Sequence, residues 1–282
     1  MKKFVAMILA VLMICGLFAG CGASSSGLTV KEGKLTVATS PDFAPFEFYS
    51  LDEAGKPTLA GFDVALAQYI ADYMGLELEI IPMDFDGTLS ELTSKKVDLS
   101  MAGYSPDPAR ENSMAFSDVY YTSGQAFICT RKNVSKFSTI ADANKAEYQV
   151  GVQIGSIQYG LAQENTPDAD IVQLSKVTDI IAEVLSGKLD GAFVETAVAE
   201  TYIKNYPELT IALDVSYEKD GYVIGVSKGN EALLTSVNEA IAKAKEDGSL
   251  AKFIEEANVQ AASNSFEGLL DADGNIPTEA GK

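Results

Sequence analysis

The chain has 282 residues, with 21 basic against 40 acidic side chains, no histidine and a formal charge of −19. That length accommodates one large or two medium domains with cores of their own. The acidic balance argues against nucleic acid and against adhesion to anionic lipid through basic patches. The lack of histidine excludes a Ser-His-Asp triad, a Cys-His pair and a histidine metal site; no motif calls for a cofactor.

Met1-Lys2-Lys3 is a short positive end, residues 4–18 are almost wholly apolar, and Phe18-Ala19-Gly20 puts small residues ahead of Cys21. Residues 1–20 therefore read as a secretory signal peptide, too short for a comfortable membrane span. The end of this stretch resembles a bacterial lipobox, with Phe18 where Leu is usual. The resemblance implies cleavage before Cys21, lipid on its sulfur, and an extracytoplasmic protein anchored to the outer face of the cell membrane. An ordinary signal peptide with an incidental Cys21 is the plainer alternative. Cys129 is then the one free thiol and no internal disulfide is expected. Residues 21–34, which include Ser24-Ser25-Ser26-Gly27, read as a tether of the flexible Gly/Ser kind.

Residues 35–39 (LTVAT) predict a first strand, followed by the loop 40–46 and a short second strand. Phe62, Leu66, Tyr69, Ile70, Tyr73 and Met74 then form one apolar helical stripe, which Gly75 ends. Residues 78–82 predict another strand, 83–96 a short helix, and 97–101 a buried strand. Alternation of this kind means α/β. Residues 119–129 read as a crossing into a second lobe, where the series restarts with strands at 150–154, 171–174 and 189–195. Val177, Ile180, Ile181, Val184 and Leu185 make the helix between the last two. Residues 211–215 are expected to cross back, 222–226 to be a strand, and a long helix to run to about Ala257. The expected organisation is lobe 1 from 35–124 and 216–257, lobe 2 from 125–215, and a loose tail over 258–282.

Several features converge if the lobes face one another across a cleft. The strand ending in Ala102-Gly103-Tyr104-Ser105 is followed by Pro106, Pro108 and Arg110, whose planar fork suits a carboxylate. In open α/β sheets ligands collect at carboxyl ends of strands. Phe43 and Phe85, each one residue after an Asp, offer an apolar clamp, although core packing accounts for either ring alone. Gly155-Ser156 opens a helix, where free N–H groups and the dipole favour an anion by up to about 2 kcal/mol. A plain N-cap accounts for Ser156 equally. Glu195 ends an apolar strand and needs a cation, from a ligand ammonium or a fixed Lys or Arg. One arginine, one helix start, one acid and two rings describe a free amino acid. An ion pair at 4 Å contributes about 4 kcal/mol before desolvation at an effective dielectric near 20.

The stretches ATSPDFAPFEF, GFDVALAQYIA, PMDFDGTLSEL, KKVDLSMAGYS, VGVQIGS and LDGAFVET resemble the polar amino acid-binding proteins of ABC importers, family 3 of the bacterial extracellular solute-binding proteins. The resemblance implies a two-lobed type II periplasmic-binding-protein fold, each lobe a mostly parallel sheet flanked by helices. It implies that Phe43 and Phe85 stack on the ligand, and that the Gly103 carbonyl and Glu195 take its ammonium. Ser105, Arg110 and the amides of Ser156 and Ile157 would hold its carboxylate, with Gln153 tuning side-chain preference. The implied partners are a free amino acid and ABC permease subunits, and a monomer is expected. Departures are Asp107 within a Pro-Asp-Pro-Ala loop that usually carries Thr, Ile157 for a Thr, Glu195 for a commoner Asp, and Ser40 for an acid. Asp42 and Glu47, close by, lean toward a basic or amide ligand. An enzyme on this scaffold, an arogenate-type dehydratase with Glu195 or Asp107 as proton donor, is the alternative.

Overall fold

The computed structural model describes residues 27–51, 56–218 and 221–263. The signal peptide, the lipidation residue Cys21 and residues 264–282 of the expected tail lie outside the described residues.

Lobe 1 begins with β1 (Lys34–Thr39), then a small antiparallel sheet of β2 (Asp42–Phe43), β3 (Glu47–Leu51) and β4 (Pro57–Ala60). Helix α1 (Phe62–Met74) follows Gly61, whose φ of 120° and close approach to the Phe46 carbonyl leave no room for a Cβ. It ends at Gly75, left-handed at φ 68°, and the Leu76 N–H reaches the Ala71 carbonyl at 2.9 Å. Next come β5 (Glu77–Pro82), α2 (Phe85–Thr93), β6 (Leu99–Tyr104) and β7 (Met114–Phe116).

Lobe 2 contains β8 (Gln125–Thr130), β9 (Gln149–Gln153), α3 (Ile157–Asn165), β10 (Asp170–Leu174), α4 (Val177–Ser186), β11 (Gly191–Glu195), α5 (Thr196–Asn205) and β12 (Leu209–Val215). The chain then returns to lobe 1 as β13 (Val223–Ser227), α6 (Glu231–Glu246) and α7 (Ser249–Ser263).

The two large sheets have one plan. Lobe 1 is ordered β5-β1-β6-β13-β7 and lobe 2 β10-β9-β11-β8-β12. In the first only β13 runs against the other strands, and in the second only β8 does. The shared plan puts the carboxyl ends of the parallel strands of both lobes at the cleft, which is what positions the site. Leu35, Val37, Leu66, Ile70 and Leu99 fill the lobe 1 core; Ile180, Ile181, Val184, Leu189 and Ala192 do the same in lobe 2.

Two connections join the lobes, residues 117–124 and a return stretch that includes residues 216–218 and 221–222. They are laced together: Tyr120 N–H donates to the Tyr222 carbonyl at 2.9 Å and Tyr222 N–H to the Tyr121 carbonyl at 2.7 Å.

Four expectations are corrected. Residues 211–215 do not cross between lobes; they belong to β12, paired antiparallel with β8, and the crossing starts at Ser216. The tether ends before Leu28, because Asn230 Nδ2 holds the Leu28 carbonyl at 2.9 Å and the buried Asp98 accepts the Val30 N–H at 2.6 Å. The tail does not start at 258: after a break at Gly248 (φ 81°) α7 runs through Ser263 and buries Ala257 and Ala261. The helix packs against α1 and α6 of lobe 1 and α5 of lobe 2. Finally, the stretch 40–46, expected as a loop, contains β2, which pairs with β3 in a small third sheet completed by β4.

Candidate functional site

Between the lobes lies a narrow cavity, and all nine residues singled out in the sequence line it. From lobe 1 come Phe43, Phe85, Gly103, Ser105 and Arg110; from lobe 2 come Gln153, Ser156, Ile157 and Glu195.

Gly103, near the end of β6, has a φ of 58°, and a Cβ there would stand 2.4 Å from Phe43 Cε1. Glycine thus lets the Phe43 ring lie against the strand. The two phenylalanines are not in ring contact with one another: Phe43 packs on Phe46 and Tyr222, and Phe85 on Tyr104. Each ring is buried, and each forms a separate part of the wall.

Arg110 is held over the rings of Phe85 and Tyr104, at 5.9 and 5.7 Å from their centroids. Its Nη2 donates to the Gly155 carbonyl of lobe 2 at 2.7 Å. Its Nε lies 3.5 Å from Asp107 Oδ2, while Asp107 Oδ1 accepts the Ala109 N–H at 2.9 Å. Asp107, the departure in the Pro-Asp-Pro-Ala loop, therefore stiffens the turn and steers the guanidinium.

On the opposite wall, Ser156 does not cap α3 with its side chain. Its hydroxyl donates to the Gln153 carbonyl at 2.8 Å, which leaves the first-turn N–H groups of α3 without a side-chain cap and available to an anion. Gly155, at φ 75°, makes the turn into the helix and approaches Asp86 of lobe 1.

Glu195 is almost wholly buried at the junction of β11 and α5. Its Oε2 caps α5, accepting from Ala197 N–H at 2.8 Å and Val198 N–H at 3.2 Å. Its Oε1 is buried with no hydrogen-bond partner, and among the described residues no lysine or arginine forms an ion pair with it. Burial raises its pKa to about 7, with Ser123, Tyr222 and the α5 amides opposing.

Three further buried acids stand beside this cavity on lobe 1. Asp63, in the first turn of α1, accepts the Tyr120 hydroxyl at 2.8 Å and the Gly103 N–H at 3.4 Å; burial raises it to about 6. Glu47, on β3, has neither oxygen hydrogen-bonded. Burial, then the charges of Asp63 and Asp42, push it well above the usual carboxylate range. Asp42 is raised to about 7 by burial. Asp42 and Glu47 were visible as nearby acids in the sequence, whereas Asp63 was not singled out; an acid inside the apolar run Gly61-Phe62-Asp63-Val64 was its signal.

The arrangement offers one end for an anion, Arg110 with the α3 start, and one acid with an unsatisfied oxygen, Glu195. Three buried carboxyl groups, which burial biases toward their protonated form, lie beyond them. Such a cleft offers complementary partners to both ends of a zwitterion.

Comparison with known proteins places the chain in a family. The model of the bacterial extracellular solute-binding proteins, family 3, matches residues 35–258. The arginine-binding extracellular protein ArtP of Bacillus subtilis is 34% identical over 256 residues, spanning 89% of this chain and 96% of that protein. The crystal structure of the amino acid ABC transporter substrate-binding protein AbpA from Streptococcus pneumoniae, bound to L-arginine, superposes with a TM-score of 0.79 at 35% identity, covering 82% of this chain and 97% of that one. The ancestral amino acid-binding protein AncCDT-1, a precursor of cyclohexadienyl dehydratase, gives a TM-score of 0.71 at 31% identity over 79% and 95% of the two chains. With a matching model over most of its length and relatives above 30% identity, this chain belongs to family 3 of the bacterial extracellular solute-binding proteins.

Proposed function

We propose that this protein captures a free amino acid with a basic or amide side chain, arginine foremost, outside the cytoplasm and hands it to an ABC permease. The observation that carries the reading is the pairing, in one interlobe cavity, of Arg110 and the α3 start with the unsatisfied oxygen of Glu195. Arg110, Ser105 and the Ser156 and Ile157 amides take the carboxylate. Glu195 and the Gly103 carbonyl take the ammonium, and Phe43 and Phe85 flank the side chain. The buried carboxyl groups of Glu47 and Asp63 can ionise against a cationic side chain, in keeping with the arginine-binding relatives. Lipid on Cys21 keeps the protein, as a monomer, at the outer face of the membrane.

The reading contains no chemical step. The alternative, an arogenate-type dehydratase, draws on AncCDT-1 and on a buried acid with a raised pKa in the cleft. It is the weaker reading, because Glu195 is already engaged as the cap of α5.

The test is thermal unfolding of residues 22–282 against each of the twenty amino acids, since a ligand that binds only the folded state raises the midpoint. A rise with arginine, lysine or glutamine, and recovery of the ligand unchanged, supports the proposal. A rise with glutamate alone, or conversion of the ligand, overturns it.

A further inference from the structure

Gln153 ends β9 and lines the cleft cavity. Its Nε2 donates to Asp42 Oδ2 at 3.2 Å and to the Ser175 carbonyl at 3.1 Å. The Ser175 oxygen can only accept, and Asp42 Oδ2 is already an acceptor, taking the Val177 N–H at 2.6 Å. The amide therefore cannot be turned over. Its nitrogen is committed to Asp42 and Ser175, and its Oε1 is the polar atom left for the cavity.

Asp42 reaches this position from the other lobe. It lies on β2, is 6% exposed, and its backbone carbonyl also accepts the Tyr202 hydroxyl at 3.3 Å. One residue of lobe 1 thus meets β9, the start of α4 and α5. The charged and hydroxyl groups around its carboxyl are Ser40 beside it, Lys176 ahead of α4, and Glu47 on β3. The Oδ2 contacts persist with a proton on the other oxygen, so the orientation of Gln153 holds in either state of Asp42.

We propose that Asp42 is a positioning residue for ligand selectivity: reaching across from lobe 1, it fixes the Gln153 amide so that a carbonyl oxygen meets the ligand side chain. The ligand class selected carries N–H donors on its side chain: guanidinium, ammonium or carboxamide. A carboxylate meets an acceptor, and an aliphatic chain leaves one buried and unpaired. The proposal deepens the amino acid-binding reading and rests on it for its ligand arm.

The experiment compares arginine with norleucine, a chain of similar length without donors, on the mature protein and on Asp42→Ala, Gln153→Leu and the double variant. Asp42→Ala is expected to lower the ratio of arginine to norleucine affinity by roughly tenfold to a hundredfold. In the Gln153→Leu background the same substitution is expected to leave the ratio unchanged. Equal weakening of both ligands by Asp42→Ala would show that Asp42 merely ties the lobes together, and overturns the proposal. A ligand-free arm follows the Gln153 side-chain amide by nitrogen-15 NMR. Slow solvent exchange of its two protons in the parent, lost in Asp42→Ala, supports the placement, and identical exchange in both overturns it. If the parent binds no amino acid, the function is refuted while this second arm still decides the role of Asp42.

Discussion

Arg110 of lobe 1 donates to the Gly155 carbonyl of lobe 2 at 2.7 Å, so the cation that faces the α3 start also bridges the lobes. Replacing Arg110 by Ala removes both the proposed carboxylate partner and the bridge. Affinity for the amino acid is expected to fall by about 2–5 kcal/mol, the usual cost of truncating one side of a buried charge pair. The unfolding midpoint without ligand should move little, since Arg110 lies outside both sheets. Titration calorimetry that finds parental affinity in Arg110→Ala would remove it from the site.

Glu195 separates two roles that one carboxylate performs together. Glu195→Gln keeps an oxygen for the Ala197 and Val198 amides but removes the charge. Ligand affinity should drop by about 2–5 kcal/mol, while the ligand-free midpoint is kept or raised because burying a neutral amide costs less. Glu195→Ala also loses the cap, adding about 1 kcal/mol of destabilisation. Paired calorimetry and thermal unfolding of the two variants check this; equal stability loss in both would contradict it.

The buried carboxylates dictate a direction for pH. Burial raises Asp42 and Glu195 to about 7 and Asp63 to about 6, and Glu47 rises for the same reason. Unfolded, they titrate near 4, so between about pH 4 and 7 the folded protein holds protons that the unfolded chain has released. Stability is fully supported below that window and is lost as pH rises through 7. The ligand-free midpoint is expected to be higher at about pH 5.5 than at about pH 8. A cationic ligand favours the ionised acids, so binding at neutral pH should release protons, read as a dependence of binding enthalpy on buffer ionisation enthalpy. A midpoint that climbs with pH would refute the assignment.

Two glycines distinguish folding from closure. Gly103→Ala puts a Cβ 2.4 Å from the Phe43 ring at a left-handed φ, so it should displace the ring, destabilise lobe 1 by roughly 1–3 kcal/mol and abolish binding. Gly155→Ala puts a Cβ 3.3 Å from Asp86 Cβ across the cleft. That contact exists only between the lobes. Beyond the local cost of φ 75°, it should weaken binding with both sheets intact, measurable as lost affinity beside an unchanged far-UV spectrum.

Much of the site could be read from the chain because its elements are local. Proline-flanked Arg110 after a buried strand, Gly155-Ser156 at a helix start and Glu195 ending an apolar strand each announce a terminus facing the cleft. The contacts of those residues were not legible where they depend on how the lobes meet: nothing near Asp42 in sequence points to Val177 or Gln153, which are more than a hundred positions away. The third sheet escaped notice because β2 and β4 are too short to show alternation. The end of α7 was hidden because Ala257 and Ala261, small enough to let helices approach, look like the composition of a loose end.

Two of the bonds that draw the lobes together across the site end on main-chain groups of lobe 2: Asp42 accepts the Val177 N–H and Arg110 donates to the Gly155 carbonyl. Exchange of lobe 2 side chains cannot delete either partner. Mutational drift over that wall can therefore reshape the ligand repertoire while the clasp itself survives, which makes lobe 2 the permissive half in the divergence of such receptors.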